Sequence, residues 1–178
     1  MGPSAHIRMA LPGDAAALAL VGAATFLESF AGVLDGRDIV AHCRQQHAEH
    51  VYAGWLADDA FRTWLVLADQ GDAPVGYLVL GRADLPLDDL AADDWEVKRL
   101  YLLGRFQGGG LGRKLVQLAE EQALRRGGRR LLLGVYGRNE RAIAFYRHMG
   151  FTTVGTRTFR VGARQYDDLV LGLNLRLA

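Results

Sequence analysis

The chain has 178 residues, half of them apolar, with 21 Lys and Arg against 20 Asp and Glu and a formal net charge of +1. That length suits one buried core and is short for two, so a single domain over residues 1–178 is expected. The near-neutral balance gives no global reason for a nucleic-acid partner. No apolar run approaches the roughly 20 residues of a bilayer span, "MGPSAHIRMA" lacks the parts of a secretory signal, and the lone Cys43 cannot close an internal disulfide. These features lead us to expect a cytoplasmic chain with no membrane partner.

Along the chain, "HIRMA" reads as a first strand and "PGDAAALALVGAATFLESF" as a helix with Asp14 as its cap. A less regular helical stretch runs from Asp38 to about Ala57. "TWLVLAD" and "VGYLVLGR" flank "QGDAP", the signature of a hairpin, and "DLPLDDLAADD" reads as an acidic surface loop. "WEVKRLYLL" is a strand that feeds "RFQGGGLGRKLVQLAEEQ", a glycine-rich loop followed by a helix. That helix carries Leu111, Leu115, Leu118 and Gln122 on one stripe, with Val116, Ala119 and Ala123 beside it, and it stops at "RRGG". "RRLLLGVY" is a buried strand, "NERAIAFYRHMG" a short helix between Asn139 and Gly150, and "FTTVGTRTF" with "QYDDLVLGLNL" a closing pair. The expectation is an α/β (α+β) fold with a mixed, mostly antiparallel, seven-stranded sheet, one strand-helix-strand unit being parallel.

The glycine loop is built to hold an anion, because bare backbone amides approach a ligand closely and a helix N-terminus adds positive dipole. Charge agrees: residues 98–130 hold nine basic side chains against Glu120 and Glu121, whereas residues 58–96 hold ten acidic ones against Arg62 and Arg82. Two familiar phosphate loops are excluded. Gly112 is followed by Arg113, Lys114 and Leu115 rather than Lys and a hydroxyl residue, and the dinucleotide fingerprint lacks its third glycine.

What remains is Gln107-Gly108-Gly109-Gly110-Leu111-Gly112, a Gln-x-x-Gly-x-Gly pattern between a strand and a helix. It resembles the pyrophosphate loop of the GNAT superfamily of acyl-CoA-dependent N-acetyltransferases, and "NERAIAFYRHMGF" resembles that family's second signature. The resemblance implies acetyl-CoA as cosubstrate, with no metal. Gln107, Gly108, Gly110, Gly112 and Arg113 would hold its pyrophosphate, Leu102 would pair its backbone with the pantetheine arm, and Asn139 would meet the coenzyme while capping its helix. Gly104 departs from the family, which often has proline there.

Acetyl transfer to an amine needs a neutral amine, a donor for the developing oxyanion and a proton for the departing thiolate. Glu96, eleven residues before Gln107, is the candidate base, since the resemblance places a glutamate there in histone-directed members. On a strand Glu96, Lys98, Leu100 and Leu102 share one face, and the competing reading is an ion pair of Glu96 with Lys98. Tyr146 is implied as the acid that protonates the thiolate; the competing reading is a core tyrosine. A backbone N–H near Leu102, where a bulge could splay the strand, is the candidate oxyanion donor. Cys43, His47 and His50 have helical spacing but no partner set for zinc, which leaves pocket wall or plain helix surface.

"TFLESF", "AHC" and "YAGWL" resemble, more loosely, a bacterial subgroup that includes polyamine acetyltransferases. The acidic segment Asp84–Asp94 with Glu28 and Asp167 would suit a cationic acceptor, against the alternative of a solvated loop. The expected partner is a small-molecule or peptide amine, polyamine among them, and a homodimer is left open. Two rival readings are a non-catalytic acyl-CoA-binding or sensing module and a nucleotide-binding protein.

Overall fold

The computed structural model describes residues 3–175. The strands are β1 (Ala5–Met9), β2 (Arg62–Ala68), β3 (Pro74–Arg82), β4 (Asp94–Leu102), β5 (Arg130–Tyr136), β6 (Thr152–Val161) and β7 (Arg164–Asn174). The α-helices are α1 (Ala15–Phe30), α2 (Gly36–Gln46), α3 (Glu49–Ala57), α4 (Leu111–Arg125) and α5 (Glu140–His148). One seven-stranded sheet runs β1-β2-β3-β4-β5-β7-β6, and only the β4–β5 pair is parallel. The expected sheet and element order are therefore present.

Helices cover both faces, which is why β2 and β3 are near-continuous apolar runs rather than alternating ones. One core joins Trp64, Leu78, Trp95, Val97 and Leu131 to the α4 stripe of Leu111, Leu115, Val116, Ala119 and Ala123. Leu118 and Gln122, expected on one stripe with Leu111 and Leu115, are only half-buried. On the other face Leu18 and Val21 of α1 and Tyr52 of α3 pack on Leu65, Tyr77 and Val79. With the turn before it, α1 forms a 19-residue helical stretch at Pro12–Phe30 with mean hydropathy 1.3, long and apolar enough to cross a membrane. This corrects the expectation from the sequence; the apolarity of α1 is used on the sheet, where Leu18, Val21, Thr25 and Phe26 are buried.

Three further expectations change. Asp14 occupies the cap position of α1 but makes no side-chain bond into the helix; its carboxylate accepts from Leu11 N–H at 2.6 Å and from both Arg8 terminal nitrogens at 2.7 and 2.9 Å. The β3–β4 ladder slips between Val79/Arg99 and Leu80/Val97, which leaves Lys98 as an extra residue. That bulge breaks the shared face: Leu100 and Leu102 join Val97 on the α4 side, while Arg99 and Tyr101 turn to the other. The acidic loop is also not free. Asp84 pairs with Lys98 at the middle of β4, and Asp89 with Arg130 and Asp93 and Asp94 with Arg129 at the end of β4 remote from Leu102.

Asp94 is the best engaged of these carboxylates. It is buried beside Arg130 in the parallel ladder and accepts from Arg130 Nη2 at 2.7 Å, Arg130 Nε at 3.1 Å and Ala91 N–H at 2.9 Å. Burial works against its charge, but the bonds from Arg130, Ala91 and Arg129 outweigh burial and hold its pKa at about 2, against 3.8 unfolded. The charge thus stabilises the fold above pH 3.8, and that stabilisation is lost as pH falls through about 2. Asp94→Asn should cost about 1.5–3 kcal/mol in chemical denaturation, because it weakens charge-assisted bonds and leaves Asp89 as the carboxylate partner of Arg130, and should flatten the acid limb of the stability curve.

Candidate active site

The site is made by a failure of pairing. The parallel ladder holds only from Asp94/Arg130 to Glu96/Leu132, after which β4 and β5 diverge. A cavity of about 540 Å³ occupies the fork and passes through the sheet. Leu100, Tyr101, Leu133 and Val135 form its waist, Asn139, Ala142 and Tyr146 its wall on the α5 side, and Phe30, His42, His47, Arg99, Phe159, Tyr166 and Asp168 its wall on the α1, α2 and β6–β7 side.

The glycine loop stands at the α5 side of the fork. A 3-10 turn at Gly104–Phe106 carries the chain off β4, and Gln107 reaches back, its Nε2 donating to Leu102 O at 2.8 Å. Gly108 and Gly110 have φ of +85° and +84°, a region that excludes most side chains, and Gly110 occupies the N-cap position of α4. A Cβ on Gly108, Gly109 or Gly110 would meet nothing within 4 Å, so these positions face open space. Gly112 packs inward: a Cβ there would lie 3.4 Å from Phe145 and 3.8 Å from Leu102, so the end of β4, α4 and α5 meet there. Arg113 and Lys114 are exposed beside the helix N-terminus, and together these groups fit a pyrophosphate. Gly104, in place of proline, donates its N–H to Glu28 Oε2 at 2.8 Å, a bond proline could not make.

Leu103 N–H donates to Val75 O across the β3–β4 ladder at 2.9 Å. Strand alternation therefore turns the Leu102 N–H to the opposite side, into the fork. The bulge expected near Leu102 lies at Lys98 instead; the separation from β5, not a bulge, frees the amide.

Tyr146 is 7% exposed and packs its ring edge-on to Phe145 and Phe151, yet it also lines the cavity. Burial, with Tyr101 nearby, raises its pKa well above 10, so the phenol keeps its proton at neutral pH. Asn139 caps α5 by accepting from Ala142 N–H at 3.1 Å, and lines the same wall.

Glu96 is 3% exposed. Its Oε2 accepts from Lys98 Nζ at 2.6 Å and from Asp84 N–H at 3.2 Å, and its Oε1 stands 4.0 Å from Arg157 Nη1. The ion pair weighed from the sequence is thus present, and Glu96 itself is not among the cavity-lining residues. Asp168, unremarked in the sequence, is 4% exposed and lines the cavity; Arg157 Nε donates to its Oδ2 at 3.1 Å, while Oδ1 is buried without a partner. Burial raises both carboxyls' pKa values against the lowering by their cationic partners. Gly134 makes room for Arg157, whose guanidinium lies where a Cβ would be.

Of the helical trio, only His47 lines the cavity. Cys43 Sγ lies 4.0 Å from Ala23 O, and His50 is exposed. No group of three His, Cys, Asp or Glu among the described residues is arranged for a metal. Burial, with Arg99 nearby, lowers His42 to about 4 and His47 to about 3 from 6.5. Both are neutral in the fold, so the unfolded chain binds more protons below pH 6.5. Stability should be full above that pH and decline as pH falls through about 4 to 3; a His47→Gln variant that folds should show a shallower slope in urea titrations between pH 6.5 and 4.

A forked sheet with a cavity in the fork and a glycine loop at a helix N-terminus beside it fits an acyl-CoA-dependent N-acyltransferase. Residues 29–151 match the model of the acetyltransferase (GNAT) family, and the chain belongs to that family. It is similar to an uncharacterized N-acetyltransferase of Mycobacterium tuberculosis, 33% identical over 158 residues that cover 89% of this chain and 96% of the relative. Among solved structures its fold is similar to the PaiA N-acetyltransferase of Thermoplasma acidophilum in complex with coenzyme A, at 19% identity and TM-score 0.78, covering 96% of this chain and 99% of the other. It is also similar to YncA of Salmonella typhimurium with acetyl-CoA, at 21% identity and TM-score 0.66, covering 98% and 96%.

Proposed function

We propose that the protein transfers the acetyl group of acetyl-CoA to an amine by direct attack. The observation that carries this reading is the cavity in the β4–β5 fork, which has Asn139 and Tyr146 on one wall and Arg99 and Asp168 on the other. Acetyl-CoA, when bound, supplies the thioester carbon. The open glycines and the α4 N-terminus hold its pyrophosphate, and the β4 edge near Leu102 pairs with the pantetheine amides. The Leu102 N–H facing the fork donates to the developing oxyanion, and Tyr146, protonated and on the α5 wall, gives its proton to the departing thiolate.

The amine's proton goes to the carboxylates on the opposite wall. Asp168 reaches the cavity and Glu96, the candidate base from sequence, stands behind it, with Arg157 between them. Raised carboxyl pKa values bring both groups nearer to neutrality, where a base works best. Asp168→Asn and Glu96→Gln should each lower turnover at pH 7 by about 100-fold and recover as pH rises toward the amine's own pKa near about 10. A Glu96→Gln enzyme with parental rates and a parallel pH profile would reduce Glu96 to an ion-pair partner of Lys98.

The whole reading is tested by free-thiol release from acetyl-CoA over a panel of amines. Turnover with any of them excludes the binding-only alternative, which predicts tight coenzyme binding and no thiol.

A further inference from the structure

Four cations, Lys98, Arg99, Arg157 and Arg160, stand in the cavity wall, and two are neutralised. Lys98 is paired with Glu96 and Asp84, and Arg157 with Asp168. Exposed Arg160 is matched by no carboxylate among the described residues, and neither is the half-buried Arg99. Its neighbours are instead the carbonyl of Gln46 and the hydroxyl of Tyr52, each 2.8 Å from Nη1, and Nδ1 of His47 at 3.3 Å. One face of the guanidinium lies over the Trp55 ring at 4.7 Å. The group is thus fixed in position through a single nitrogen and one stacked face.

Every one of those hydrogen bonds leaves from Nη1. Nε and Nη2 make none within the described residues, and neither is sealed from solvent without a partner. What Arg99 offers the cavity is therefore a rigid, half-free fork of N–H donors, the geometry that takes a carboxylate through two parallel bonds. The surroundings favour an anion further: His42 and His47 are held neutral by burial and by Arg99 itself, so both leave the guanidinium charge unopposed without adding to it. Around this fork the wall is aromatic, with Phe26, Phe30, Tyr136, Phe159 and Tyr166.

Resting on the acetyl-transfer reading above, we propose that Arg99 binds the carboxylate of the acceptor, so that the acceptor is an α-amino acid with an apolar or aromatic side chain rather than a polyamine. Its amine then faces Asp168, and its side chain lies on the aromatic wall. The acidic loop that suggested a cationic acceptor is occupied by Lys98, Arg129 and Arg130, which removes the chief attraction for a polycation.

The test compares matched pairs, phenylalanine with phenethylamine and tyrosine with tyramine, with spermidine as a third arm, by thiol release from acetyl-CoA. The parental enzyme should prefer each amino acid over its decarboxylated partner by about 100-fold or more in kcat/KM, as for a polar group that must be matched. Arg99→Gln should collapse that ratio, chiefly through KM for the acid, and Arg99→Lys should restore part of it. Equal or reversed preference in the parental enzyme, or faster turnover of spermidine, overturns the proposal while leaving acetyl transfer intact. If no amine turns over, acetyl transfer itself fails. Calorimetry of the same pairs on the coenzyme A-loaded parental protein then decides: binding of the acids alone supports the carboxylate site, and equal binding overturns it. The parental comparison also stands if an Arg99 variant does not fold.

Discussion

Replacing Tyr146 by Phe is expected to lower turnover by about 10- to 10,000-fold, the range of a lost general acid, while coenzyme A affinity stays within a few-fold. The ring packs among Phe145, Phe151 and the α4 core, and Phe keeps that packing, so the fold should be little changed. Only the hydroxyl is lost from the cavity wall. Because burial holds the phenol protonated, the parental enzyme should show no loss of rate from this group across the neutral range. Single-turnover measurements should place the defect in thiol expulsion rather than binding. Unaltered turnover in a folded Tyr146→Phe protein would make Tyr146 a core residue that happens to reach the cavity.

The second large effect is expected at the glycine loop. Gly110 has φ of +84°, and a Cβ there meets nothing within 4 Å of protein. Gly110→Val therefore strains the backbone by about 1–2 kcal/mol, which a domain of this size survives, but it places a branched side chain where the pyrophosphate must approach the amides. Coenzyme A affinity should fall by about 100-fold or more, as a lost set of charge-assisted bonds implies. Gly109 separates strain from obstruction: its φ is not positive and its Cβ position is equally open. Gly109→Ala should leave thermal stability near parental and still weaken coenzyme A. Unchanged affinity by calorimetry in both folded variants would remove the pyrophosphate assignment.

Much of this was legible in the chain. Seven strands in their order, the parallel unit around the glycine loop, the Asn139 cap and the glycine stop of α4 all follow from local rules of periodicity, turn chemistry and capping, which act within a few residues. The loop and the Asn139–Phe151 segment were equally local, so the family could be recognised. Where tertiary contacts intervene, the reading shifts. One extra residue at Lys98 reverses the faces of β4 beyond it, and alternation in "WEVKRLYLL" does not mark it. Asp14 serves Arg8 and Leu11 rather than α1, because a strand brings Arg8 within reach.

The make-up of the cavity wall was decided almost wholly by the tertiary structure. Sequence by itself determined that a glycine-rich loop leads into a helix, and that Glu96 and Tyr146 lie on elements flanking it. It could not determine which carboxylates are already consumed. Glu96 meets Lys98 and Asp84 N–H, and the acidic loop meets Arg129 and Arg130, through contacts spanning up to 41 residues. Asp168 and Arg99 become site residues only because β5 and β4 separate and the β6–β7 hairpin and α2 close over the gap. The physical reason is that a charge acts according to burial and the partners around it, and long-range packing sets both.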